Sequence, residues 1–296
     1  MSIALVLLPD FALIVGGALL SRLRAFDAAF WSGTERLVYF VLFPALLFRS
    51  LATGAYTIAD SLPLVATALA FTLAGIALSY LARFLFRLPQ GDFAACFQCG
   101  FRFNTYLALA VADRLQGPSG LAAITLMVGV LVPVVNIAAV GMLARDGGSR
   151  LLPALVRNPL VLACVAGLLW SVLRLPLPDF AGRVLSSVGG ASLVLGLLTV
   201  GAALKLERGL AAAPLVYWTG LKLVILPACA LVAGHALGLT PALMQIALIM
   251  AAVPAAPSAY VLAMQMSGRG RPVAVLVTTG TLAAAITLPL WLTATR

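Results

Sequence analysis

The sequence predicts an all-α polytopic membrane protein of ten transmembrane helices, built as two inverted five-helix repeats with crossed, broken fourth and ninth helices. Three observations carry that expectation. Hydrophobic residues make up 63% of the 296 and charged residues only 9%, with a mean hydropathy of +1.12, whereas soluble domains are roughly 25% charged. The stretch from Pro241 to Met266 is uncharged and long enough to cross a ~30 Å hydrocarbon core, yet it holds Pro254 and Pro257 at its centre. The most polar linker, 145–150, divides the apolar spans five and five, and an odd number per half inserts the second half upside down relative to the first.

The spans run approximately over 3–20, 35–52, 62–82, 93–112, 119–143, 158–174, 184–204, 213–237, 241–266 and 272–293. The chain therefore divides into a first repeat at 1–145, a linker at 146–156 and a second repeat at 157–296. The first span lacks a basic segment before it, and its arginines, Arg22 and Arg24, follow it. It reads as a span rather than a cleaved leader. With the N-terminus outside, the inner connections hold Arg22, Arg24, Arg36, Arg83, Arg87, Arg145, Arg150, Arg157, Lys205, Arg208, Arg269 and Arg271. The outer side holds Arg49, Arg114, Arg174, Arg183 and Arg296. Twelve against five predicts an inner (cell) membrane protein with both termini outside the cytoplasm. The net charge of +10 is dispersed one to three residues at a time between apolar spans, so it suits lipid headgroups and not nucleic acid.

The ninth span is expected to break because each proline lacks the N–H that would bond four residues back, and because Val253 and Ala256 are pushed from helical geometry. Two half-helices meeting near the bilayer midplane is one reading, and a proline kink packed inside a bundle is the other. A repeat demands a matching break in the fourth span. There Gly100, Arg102, Asn104 and Thr105 interrupt an otherwise apolar run. Glycine weakens a helix and asparagine starts one. Interrupted spans in corresponding positions point to a transport site at the repeat interface.

Two cations lie deep in this map, Arg102 and Lys222, while all nine acidic residues are assigned outside spans or to their ends. An anionic substrate would neutralise them, aided by half-helix N-termini. The alternative is that both side chains snorkel or bond backbone carbonyls. Asn104, Thr105, Asn136, Ser258 and Tyr260 are the neutral candidates for orienting a carboxylate, with helix capping an equal alternative for Asn104 and Ser258. Gly100, Pro254 and Pro257 form the expected crossing. Gln245 and Gln265 are assigned to the interface, and His235 to a solvated end. Pro44, Pro133, Pro227 and Pro289 are read as kinks. The cysteines, Cys96, Cys99, Cys164 and Cys229, lie in apolar runs with a single histidine in the chain, which predicts packing and no metal site or cofactor.

Five pieces in order resemble the auxin efflux carrier family, which includes bacterial malonate/malate-type permeases. They are Arg157-Asn-Pro-Leu160, Leu198 to Leu204, Lys222 to Pro227, the ninth span with Val253-Pro254, and Thr279 to Pro289. The resemblance implies ten spans with crossed fourth and ninth helices, and movement of a small organic anion. The fourth span departs from the family pattern: Asn104 is present, but the proline expected after it is not. A midplane carboxylate would have favoured a sodium- or proton-coupled symporter on a similar fold, and none is expected, so uniport leads. An intramembrane enzyme would need a nucleophile with a base, or metal ligands, at depth. Partners are thus the lipid bilayer and a small organic anion, with a homodimer left open.

Overall fold

The computed structural model describes residues 3–54, 58–144, 158–205 and 209–294. The linker at 146–156, the flanking Arg145 and Arg157, Glu207, Arg208 and Arg296 lie outside the described residues. Within them the chain is helical throughout. Helix α1 spans Ile3–Leu20; α2, Ala28–Leu37, passes through a π turn, Val38–Leu42, into α3, Phe43–Ala52; α4 spans Ile58–Leu85. Then come α5, Gln90–Phe97, with a 3₁₀ turn over Gln98–Gly100, and α6, Thr105–Leu143. The second half holds α7, Pro159–Val172; α8, Asp179–Ala202; α9, Ala212–Gly220; a π turn, Leu221–Ile225; and α10, Leu226–Ala236. It closes with α11, Pro241–Ala252; α12, Ser258–Ser267; and α13, Arg271–Thr293.

Several boundaries have local causes. Asp27 accepts a hydrogen bond from the Phe30 N–H at 2.8 Å and so starts α2 seven residues before the expected position. The polar run Ser32 to Glu35 concealed that start. Both π turns are followed, one residue on, by a proline. Phe43 N–H bonds the Val38 carbonyl before Pro44, and Leu226 N–H bonds the Leu221 carbonyl before Pro227. The widened turn makes room for a ring that would otherwise clash with the carbonyl four residues back. Pro133 and Pro289, by contrast, lie inside continuous helices. Gly117, at φ 60° and ψ −145°, divides α6 at a kink between the fourth and fifth expected spans.

Five helical segments are long and apolar enough to cross a bilayer: Ser61–Leu85, Gln90–Leu143, Asp179–Ala202, Ala212–Ala236 and Arg271–Thr293. Leu5–Leu20, Pro159–Val172 and Pro241–Ala252 are shorter apolar helices. Large apolar side chains stand exposed around the outside, among them Leu8, Leu62, Phe84, Val172, Val232 and Ile286. Lipid, not water, is the solvent that suits such a surface. The innermost elements are the broken ones; every residue from Ile246 to Val253 is fully buried.

The peripheral helices pair closely. Helix α1 lies along α8, α3 along α7, and α4 along α10. Small residues make the first two pairings possible. A Cβ on Gly201 would sit 1.8 Å from the Ile14 carbonyl oxygen, and one on Gly167 would sit 2.7 Å from that of Phe48. The acid census requires correction at Glu35, which lies inside the helical run from α2 to α3, and at Asp10. Asp10 lies within α1, not at its end, and is 1% exposed. Arg114 donates to it through Nε and Nη2, at 2.7 Å for the shorter contact, and this bidentate grip makes burial of the carboxylate tolerable.

Candidate functional site

Two helix breaks face one another at the centre of the molecule. In the first, α5 ends at Phe97, the 3₁₀ turn carries the chain to Gly100, and Phe101 to Asn104 are non-helical. Asn104 is extended (φ −78°, ψ 97°) and its side chain accepts from the Leu107 N–H at 3.2 Å, so it caps the start of α6. In the second, Val253 is extended (φ −64°, ψ 145°) and closes α11, and α12 resumes at Ser258 after Pro257 in helical geometry. The breaks are joined directly: the Asn104 N–H donates to the Pro254 carbonyl at 2.8 Å. Gln98 Nε2 adds a bond of 3.1 Å to the Ala259 carbonyl. Gly100 fits because a side chain there would meet Ser79 Oγ at 2.7 Å. The fourth span thus breaks without a proline, by a 3₁₀ exit from α5 and an asparagine start to α6.

A cavity of about 660 Å³ opens onto this crossing. Both resumed helices present their first residues to it, Thr105 of α6 and Ser258 of α12. Arg102 stands between them, 7% exposed, on the non-helical segment. Its Nη1 donates to Ser258 Oγ at 3.3 Å and its Nη2 donates to Asn136 Oδ1. Among the described residues its Nε is buried with no hydrogen-bond partner, and neither ion pair involves it. A guanidinium with a spare donor, flanked by two helix N-termini that each carry partial positive charge, makes this end of the cavity electropositive. Phe40, Phe103, Val132, Val135, Val261 and Leu262 supply apolar walls.

Of the predicted site residues, Arg102, Thr105, Asn136 and Ser258 meet in this cavity. Asn104 is fully buried behind it as a cap. Lys222 is outside it; its Nζ donates to the Ala251 carbonyl at the end of α11. Tyr260 is also off the wall, with its hydroxyl 3.0 Å from Lys205 Nζ and its ring beneath that ammonium. Pro254 and Pro257 form the second break, next to Ala256 on the cavity wall.

Sequence reasoning passed over several polar residues of the cavity wall, Ser32 and Arg36 among them. Glu35 and Tyr39 reach it because α2 begins early and continues through the π turn. Asn158 lines it while capping α7, accepting from the Leu160 N–H at 3.0 Å. The Asn-Pro pair was the available signal, since a cap residue followed by proline marks a helix start. Gln265, assigned to the interface, is on the wall as well. A second cavity of about 450 Å³ lies toward the opposite end, among Arg49, Ser50, Pro118 and Thr240, and Arg102 does not line it.

Residues 149–292 match the family described as "Membrane transport protein". All five sequence pieces that resemble the auxin efflux carrier family fall inside that match, which covers a little under half of the chain. No curated protein matches the chain.

Proposed function

We propose that this membrane transport protein is a secondary transporter, a uniporter or efflux carrier and not an enzyme, that moves a small organic anion such as a mono- or dicarboxylate. The observation that carries the reading is the convergence of Arg102 and the first residues of α6 and α12 on one cavity. The spare Nε donor and the apolar walls suit a carboxylate on a carbon body.

The architecture that goes with it is ten spans in two inverted five-span repeats, with α5/α6 and α11/α12 as the crossed fourth and ninth helices. An inverted repeat exchanges the first span with the sixth and the second with the seventh. The pairing of α1 with α8 then becomes the pairing of α7 with α3, and both are extensive. Close glycine contacts recur in the two pairings, Gly201 on Ile14 and Gly167 on Phe48, which supports the exchange. The basic-residue bias puts both termini outside an inner membrane. In that orientation the 660 Å³ cavity faces the cytoplasm, the inward-open half of an alternating-access cycle.

A proton-coupled symporter is the second reading, and Glu35 favours it. This carboxylate lines the same cavity and takes part in neither ion pair among the described residues. The test is uptake of labelled mono- and dicarboxylates into proteoliposomes, with sodium, pH and voltage varied separately. Saturable uptake of a carboxylate, abolished by Arg102→Ala in folded protein, is the expected result. Uptake that requires an inward proton gradient selects the second reading. Absence of carboxylate uptake across the panel removes both.

A further inference from the structure

Lys222 has no task in the reading above. It lies on the π turn Leu221–Ile225 and is 3% exposed. Among the described residues its Nζ makes one hydrogen bond, to the Ala251 carbonyl in the last turn of α11. No carboxylate pairs with it among the described residues. The ammonium is therefore held by backbone dipoles at the end of a helix, where unbonded carbonyls carry partial negative charge. Pro254 deepens that negative end, because it lacks the N–H that a continuous helix would offer the Met250 carbonyl. Thr219, one turn before Lys222, adds an oxygen: its hydroxyl is buried without a partner and lines the same void of about 10 Å³. The counterpart half-helix end is served differently, by a neutral donor, Ser79 Oγ to the Phe97 carbonyl. One of the two ends at the crossing thus receives a full positive charge.

Half-helix C-termini with unwound carbonyls coordinate the coupling cation in transporters of this general construction. A primary ammonium makes the same demands as a monovalent metal ion: unit positive charge and short contacts to carbonyl and hydroxyl oxygens. We propose that Lys222 is a tethered cation filling a latent monovalent-cation site at the Ala251 carbonyl, with the unpartnered Thr219 Oγ1 on the wall of the adjoining void, so that the protein needs no dissolved cation there. Shortening the side chain should open the site to sodium, ammonium or methylammonium. The consequence for coupling rests on the transport reading, but the site itself is open to a binding measurement that does not.

That measurement is thermal unfolding of the purified full-length protein, titrated with each cation against N-methylglucamine chloride at equal ionic strength. Lys222→Ala and Lys222→Ser should unfold several degrees higher as sodium or methylammonium saturates them, and wild type should not respond. Lys222→Met, which fills the volume without a charge, should not respond either. A wild type that is stabilised saturably by sodium overturns the proposal without reference to any variant. So do Ala and Ser variants indifferent to every cation, or a Met variant that responds as they do. If the small variants fold only when solubilised in methylammonium, and unfold on its removal, that rescue counts as the expected result. In proteoliposomes, sodium-independent uptake by wild type should become sodium- or methylammonium-dependent in Lys222→Ala. Failure of wild type to carry any anion would remove the transport reading and leave the unfolding result standing.

Discussion

Arg102 and Arg114 are both arginines inside a membrane helix bundle, and their surroundings assign them opposite work. Arg114 is spent on Asp10, in a bidentate pair whose carboxylate is 2% exposed and whose guanidinium is 38% exposed. Removing the arginine strands a buried charge, whereas neutralising the acid leaves a guanidinium that still reaches solvent. Arg114→Ala should therefore lower unfolding stability by ~2–4 kcal/mol, and Asp10→Asn by ~1 kcal/mol. Calorimetry or thermal melts in detergent read that ordering, and equal losses would contradict it. Arg102, with only neutral partners and a free Nε, is poised for something absent from the chain itself. Lysine retains the charge there but loses the fork that grips a carboxylate. Arg102→Lys should cost ~1.5–3 kcal/mol of binding, about ten- to a hundred-fold in anion affinity. Titration of the folded variant with the transported anion checks it, and wild-type affinity would make this arginine structural.

At the level of the element, the break in the ninth span could be read from the sequence because proline acts locally, removing a donor and displacing its predecessor. The break in the fourth span was legible only as a cluster, Gly100 to Thr105. Its form depends on a partner, since Asn104 N–H is satisfied by Pro254 of the other half. The early start of α2 and the π turn that carries Tyr39 into the cavity were not legible, because the polar residues along Ser32 to Glu35 resemble a loop until a cavity wall receives them. Asp10 was misassigned for a related reason: only the distant Arg114 makes its place inside α1 tenable. The element-scale prediction concerns Pro254 and Pro257. Replacing both by alanine restores two backbone donors and favours a continuous helix. Stability should be retained or slightly raised while uptake falls at least tenfold, since a continuous helix withdraws the α12 N-terminus from the cavity. Normal uptake by the folded double variant would show that the crossing is not where the anion passes.

For the whole molecule, the two ends differ in what they expose. Ser32 lies near the mouth of the larger cavity and Ser119 beside the smaller one, and both side chains are exposed. An inward-open carrier with outward termini requires these positions to face opposite compartments. The prediction uses single cysteines at Ser32 and Ser119 in a background lacking Cys96, Cys99, Cys164 and Cys229. An impermeant maleimide added to sealed cells should label Ser119→Cys at once and Ser32→Cys only after the membrane is opened. Adding the transported anion should then redistribute access: a cysteine at Gln265, on the cavity wall, should be labelled more slowly when the anion is present. A closed carrier shields that wall, whereas a static vestibule leaves it as reactive as before. Labelling of Ser32 and Ser119 from one side would remove the inverted-repeat topology. Opposite labelling with no change at Gln265 would keep the topology and remove alternating access around this cavity.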